Sequence, residues 1–202
     1  MSEDKKPDKY EVPSWDLIYN LCIEVADQVI RSGYNPEIII AVSRGGWIPG
    51  RVLSDILGNH NLATIRVEYY HGIYSTRDKP EITQPLSVDV KGRRVLLVDD
   101  IADSGNSLRM VKEHLVKMGA SEVRVCTLYQ KPWSIIKPDF NVRNTDAWVC
   151  FPHERFETME KLYARFMGEG MKETEIKKKL EKIGFKPDLV SKFISYRRSR
   201  RT

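Results

Sequence analysis

Apolar positions change their spacing repeatedly along the chain, and the changes mark its elements. Trp15, Ile18, Leu21, Cys22, Val25 and Val29 recur three and four residues apart, which predicts a helix opened by Ser14 and closed by Gly33. Glu37 to Val42 (EIIIAV) is apolar and β-branched at consecutive positions, the pattern of a strand covered on both faces. A glycine-rich turn and a helix from about Trp47 to Leu57 follow. Ala63 to Tyr70 alternates as a strand, whereas residues 71–90 show no periodicity and predict a long flexible loop at 71–88. Arg94 to Val98 (RVLLV) reads as another buried strand, Ser107 to Met118 as a helix ended by Gly119, and Glu122 to Tyr129 as a strand. Beyond Trp148 the pattern turns helical, at Phe156–Met167 and then near 172–183 and 187–196. Strands alternating with helices predict an α/β fold with a mostly parallel sheet. Residues 1–13 read as a loosely held polar arm.

Composition narrows the class. The chain has 202 residues, 41% hydrophobic and 30% charged, which describes a globular protein with a real core. No apolar run approaches the roughly 20 residues that span a bilayer, and the first ten residues hold no apolar signal core, so a cytoplasmic location without a membrane partner is expected. Cys22, Cys126 and Cys150 lie far apart among apolar neighbours, as three buried thiols rather than a disulfide or zinc framework. The net charge of +5 sits in the tail: residues 171–202 hold 11 Lys and Arg against 4 Asp and Glu, which leaves the rest of the chain near neutral. A uniformly basic nucleic-acid binder is not indicated.

The most informative segment is Val95 to Ser107, VLLVDDIADSGNS. A buried strand runs into two adjacent acids, then a Ser/Gly/Asn turn opens a helix. Free amides at such a helix start favour an anion, Ser104 and Ser107 add hydroxyl donors, and Gly105 permits close approach of the backbone. There is no Gly-Lys-Ser/Thr, so this is not a Walker loop. Acids beside an anion site are reconciled by a ligand carrying hydroxyls and a divalent cation, such as a sugar phosphate with Mg²⁺.

The segment resembles the motif by which type I phosphoribosyltransferases bind phosphoribosyl pyrophosphate (PRPP). The resemblance implies that fold: a central mostly parallel sheet flanked by helices, with a small base-binding hood, over residues 14–155. Residues 156–202 would be a helical basic extension. It further implies that Asp99 and Asp100 hold the ribose hydroxyls and Mg²⁺, that Asp103, Ser104, Gly105, Asn106 and Ser107 wrap the 5-phosphate, and that Asp103 handles the proton of the purine N7. Ala41 to Arg51, AVSRGGWIPGR, similarly leaves a strand for a helix and resembles the family's pyrophosphate loop in its xanthine-guanine form. Ser43, Arg44, Gly45 and Gly46 would then bind pyrophosphate, Arg44 through a planar cationic fork.

Lys131-Pro132 and Asp146-Ala147-Trp148 resemble the base-binding segments of the same branch, with Pro152 and Glu154 continuing the match. Lys131 would contact the purine 6-oxo group, Trp148 would stack on the base, and Val149 and Glu154 would line its site. Cys150 stands where an acid is expected near the purine 2-position, so the choice among guanine, xanthine and hypoxanthine stays open. Tyr70, His71 and Arg77 are candidates for closing over the pyrophosphate, in place of the Ser-Tyr pair common in related enzymes. The implied activity is transfer of the phosphoribosyl group from PRPP to a 6-oxopurine by a homodimer or homotetramer. The competing readings are a PRPP or nucleotide sensor that binds nucleic acid, a transferase for another base, and a non-catalytic subunit.

Overall fold

The structure, a computed structural model, describes residues 9–70 and 79–200. These residues divide into two compact units, 16–146 and 9–15 with 147–200.

In the first unit six strands form one sheet: β2 (Ile38–Ser43), β3 (Leu62–Tyr70), β4 (Lys79–Gln84), β5 (Arg94–Ala102), β6 (Glu122–Gln130) and β7 (Phe140–Asn144), in the order β4-β3-β2-β5-β6-β7. Every neighbouring pair is parallel except β3 with β4. The helices are α1 (Trp15–Arg31), whose first residue belongs to the other unit, α2 (Trp47–Ile56) and α3 (Asn106–Lys117).

The consecutive apolar runs work as the pattern implied. Ile38, Ile40 and Val42 share a core with Val95, Leu97, Val123 and Val125, and α3 packs Leu108, Val111 and Leu115 against them. Ile39 and Leu96, of opposite parity, are fully buried as well. On that side α2 approaches β2 so closely that a β-carbon on Gly50 would meet the Ala41 methyl at 2.8 Å. Each buried Val, Leu or Ile side chain stabilises the unit by roughly 1.5–3 kcal/mol. Gln28 of α1 donates to the Asn141 carbonyl of β7 at 2.8 Å.

The second unit has its own core. Strand β1 (Tyr10–Glu11) pairs in parallel with β8 (Trp148–Val149). Helices α4 (Arg155–Gly168), α5 (Glu173–Ile183) and α6 (Pro187–Ser199) bury Met159, Leu162, Tyr163, Phe166, Ile176, Leu180, Val190, Phe193 and Ile194. Gly184, at φ +119°, ends α5, and Pro187 opens α6. Among the described residues no helix is long and apolar enough to cross a membrane.

Two expectations are corrected. Tyr10 and Glu11 are not loose arm, because backbone pairing with Trp148 and Val149 holds them. Residues 79–84 are not loop: they form β4, antiparallel to β3 at the sheet edge. Pro80 is tolerated there because an edge strand can leave one N–H position unused. His71 and Arg77 lie outside the described residues, as does the side chain of Tyr70.

Candidate active site

The sheet order reverses between β2 and β5. From β2 the chain moves outward to β3, and from β5 it moves the other way to β6 and β7. In parallel sheets ligands bind outside the carboxyl ends of strands at such a switch point. Both glycine-bearing loops leave the sheet there, 44–46 after β2 and 103–105 after β5.

The first loop is wedged into place. A β-carbon on Gly46 would lie 2.4 Å from the Val98 carbonyl oxygen and 2.7 Å from that of Val42, so only glycine fits between the two strand backbones. The Gly46 amide donates to the Val42 carbonyl at 2.8 Å. The Ser43–Arg44 peptide is cis. Arg44 is exposed, whereas the buried Ser43 hydroxyl has no hydrogen-bond partner among the described residues.

The acids belong to β5 itself, which continues to Ala102 rather than stopping at Val98. Asp99 lies opposite Thr127 in the ladder, and its Oδ1 accepts the Asp100 amide at 3.0 Å. Burial, then the neighbouring Asp100 carboxylate, push the Asp99 carboxyl well above the usual range, while the amides of Asp100 and Gly46 oppose the shift. Asp100 is buried and rests against Gly45.

The second loop leads into α3. Gly105 has φ +80° and its α-hydrogen faces Ser134 and Ile136, so a side chain is excluded by both backbone conformation and space. It is the N-cap of α3 and has no side chain to cap the helix. Ser104 Oγ accepts the Asn106 amide at 3.4 Å, and the amides that follow in the first turn face the helix N-terminal end, where an anion is favoured. Tyr69 reaches in from β3: its hydroxyl lies 3.2 Å from Ser104 Oγ and 3.5 Å from Ser107 Oγ.

The chain after β6 folds back over this loop. The Lys131 amide donates to the Ala102 carbonyl at 2.9 Å and the Ile135 amide to the Ser104 carbonyl at 3.1 Å. Lys131 is buried, not a solvated loop lysine, and its Nζ lies 5.2 Å from the centre of the Trp133 ring. Trp133 Nε1–H donates to Asp103 Oδ1 at 3.0 Å.

Thus the structure gathers 43–46, 99–107 and Lys131 in the first unit and adds Tyr69 and Trp133, which the motifs do not include. Trp148, Val149 and Glu154 belong to the second unit. There Trp148 is part-exposed, Val149 is buried, and half-buried Glu154 precedes α4 as its N-cap. Cys150 lies in that unit's core, and burial pushes its thiol up to about 12. All three cysteines are buried and free.

The phosphoribosyl transferase domain family matches residues 11–163, most of the chain. The protein belongs to that family. Its relatives place it further among phosphoribosyltransferase enzymes. It is 31% identical over 145 residues to the xanthine-guanine phosphoribosyltransferase of Gluconobacter oxydans, covering 71% of this chain and 83% of the relative. The enzyme of the same name from Idiomarina loihiensis is 28% identical over 141 residues, covering 69% of this chain and 83% of the relative. The crystal structure of a purine phosphoribosyltransferase from Pyrococcus horikoshii shares 36% identity at a TM-score of 0.66, covering 72% of this chain and 93% of that one.

Proposed function

We propose that this phosphoribosyltransferase transfers the 5-phosphoribosyl group of PRPP to a 6-oxopurine, releasing pyrophosphate and a nucleoside monophosphate, as a salvage reaction of the cytoplasm. The observation that carries the reading is the pairing, at the switch point, of the α3 start, with Ser104, Gly105 and Ser107 around it, with the adjacent acids of β5. A 5-phosphate suits the amides and hydroxyls, and ribose hydroxyls suit the carboxylates.

A divalent cation fits this donor set. Two carboxylates, one with its proton affinity raised by burial and by the other, favour a bound positive charge. Among the described residues no group of three or more His, Cys, Asp or Glu side chains forms a metal cage. Mg²⁺ is often held by one or two carboxylates with the remaining ligands from substrate oxygens and water. Asp99 and Asp100 would hold it, and when bound it would neutralise charge on the leaving pyrophosphate.

The residues divide the remaining work. In the transfer the bond from ribose C1 to pyrophosphate breaks, a bond from C1 to a purine ring nitrogen forms, and the base gives up one N–H proton. The Ser43–Gly46 loop would bind pyrophosphate, with Arg44 stabilising its charge. The β5 acids would orient the ribose and offset positive charge at C1. Asp103 would accept the N7 proton as the base becomes nucleophilic. Lys131 would donate to the 6-oxo group, Trp148 would stack on the base, and Val149 and Glu154 would contribute to base binding.

A nucleic-acid-binding regulator has less support. Within the basic tail Arg197 pairs with Glu160, Arg198 with Glu173, and Lys179 with Glu169 at 3.7 Å, so part of that charge is matched inside the unit. The homodimer or homotetramer expected of the family is part of the proposal, and light scattering checks it.

The test is a base panel. PRPP and Mg²⁺ are mixed with hypoxanthine, guanine, xanthine, adenine or uracil, and nucleotide and pyrophosphate are measured. At least one 6-oxopurine is expected to react, and adenine and uracil are not. Product from none of the 6-oxopurines overturns the reading.

A further inference from the structure

Trp133 is 56% exposed, so core burial does not explain where its ring sits. Its position is set by the backbone on either side. The Lys131 amide is tied to Ala102 and the Ile135 amide to Ser104, the two residues that flank Asp103, and the Ser134 amide closes a turn onto the Lys131 carbonyl at 3.1 Å. The indole is thereby held beside the Asp103 carboxylate, with its N–H on Oδ1 at 3.0 Å and the Lys131 ammonium 5.2 Å from its ring centre.

An indole N–H can only donate. It occupies one carboxylate oxygen and leaves the other to accept from elsewhere. Asp103 is itself exposed and stands in a loop, where an untethered carboxylate turns freely about its side-chain bonds. Proton transfer requires the acceptor at hydrogen-bond distance from the proton it removes, and a supporting donor narrows the orientations available.

The geometry points to Trp133 as a positioning residue for Asp103: its indole N–H fixes Oδ1 so that Oδ2 faces the purine N–H that must be deprotonated. This rests on the reading of Asp103 as the proton acceptor, and the Lys131 ammonium beside the indole ties the same residue to the 6-oxo side of the base. In sequence the link is invisible, because the partners are separated by 30 positions.

Four full-length proteins test it: wild type, Trp133→Phe, Asp103→Asn and the double variant, each assayed with PRPP, Mg²⁺ and the best base of the panel. Trp133→Phe is expected to lower kcat roughly tenfold, the factor for losing a hydrogen bond to a charged group, with KM for PRPP and for the base within about twofold. Asp103→Asn is expected to lose on the order of a hundredfold or more in kcat. Adding Trp133→Phe to it should cost nothing further, because the indole then has no acceptor carboxylate to orient. Trp133→His, which keeps a ring N–H, should lose less than Trp133→Phe.

Wild-type kcat in Trp133→Phe, with Asp103→Asn inactive, overturns the positioning role alone. A rise in kcat, a loss confined to KM for the base, or a loss that repeats in the Asp103→Asn background overturns that role equally. Wild-type turnover by Asp103→Asn overturns the proton-acceptor reading and the inference with it.

Discussion

Gly45 gives Asp100 the room it occupies: a β-carbon at position 45 would lie 2.5 Å from Asp100 Oδ2 and 2.6 Å from its Cγ. The 44–46 loop and the β5 acids, proposed to bind pyrophosphate and ribose, are therefore packed directly against each other. Gly45→Ala is expected to displace the Asp100 carboxylate and cut kcat/KM for PRPP at least tenfold, at an overpacking cost of about 1–3 kcal/mol. Gly46→Ala should be worse for folding, since its β-carbon would meet strand backbone at 2.4 Å rather than a side chain that can turn. Steady-state kinetics and chemical denaturation of both variants separate the effects. Equal kinetics for Gly45→Ala and wild type would mean the acids are not engaged through Asp100.

Tyr69 places its hydroxyl between Ser104 and Ser107 in the proposed phosphate cradle. A phenol both donates and accepts, so the hydroxyl can turn from the serines to a phosphate oxygen. Tyr69→Phe removes that donor and keeps the ring. KM for PRPP is expected to rise about twofold to tenfold, the range of one net hydrogen bond, with kcat little changed. Tighter PRPP binding by the variant would instead make the hydroxyl a competitor for the cradle.

How much of the molecule is legible in its sequence depends on the range of the interaction. The run at 38–42 announces a strand buried on both faces, and Leu108, Val111 and Leu115 on one side with Gly50 on the other meet that expectation. The length of β5 is not legible, because two acids interrupt its apolar pattern while the ladder to Thr127, Tyr129 and Gln130 continues. Strand β4 is hidden by Pro80 and a largely polar sequence; only its pairing with β3 reveals it. Strands β1 and β8 span two residues each and exist through their mutual pairing. The turns at Gly46 and Gly105 are legible as strand-to-helix turns because the local sequence pattern and the local geometry coincide. Tyr69 and Trp133 are not, since each meets its partner across 35 and 30 positions respectively.

In the second unit Glu173 joins three helices. Its carboxylate accepts from Arg198 of α6 and, at 3.1 Å, from the Tyr163 hydroxyl of α4, while it stands in the first turn of α5. The Arg198 hydrogen bond, with smaller help from Tyr163 and the Arg198 charge, holds its carboxyl below the usual carboxylate range. The unfolded chain then binds the proton more readily than the folded one. The stabilisation is present above the unfolded value, about 4.3, and is lost as pH falls through the folded value. Solvent screens the pair, so the effect is small. Glu173→Gln is expected to lower Tm by no more than a few degrees at pH 7, and the gap to wild type should close as pH falls below the unfolded value and through the lower folded one. A gap that persists at low pH would assign the loss to packing instead of charge.

Gly105 and Gly33 share a left-handed backbone, φ +80° and +71°, in opposite surroundings. At Gly33 an added β-carbon meets nothing within 4 Å, whereas at Gly105 it would press on Ser134 Oγ at 2.8 Å and on the Ile136 backbone nitrogen at 2.9 Å. Alanine at 33 should therefore cost only the left-handed penalty, about 1–2 kcal/mol, and leave catalysis intact. Alanine at 105 should add an overpacking cost of about 1–3 kcal/mol. It should also push the 103–107 loop off the segment that carries Trp133, weakening PRPP binding. Denaturation midpoints and PRPP calorimetry of the two variants make the comparison. If Gly105→Ala binds PRPP as tightly as Gly33→Ala does, the cradle does not depend on contact between that loop and residues 134–136, and the phosphate is gripped elsewhere.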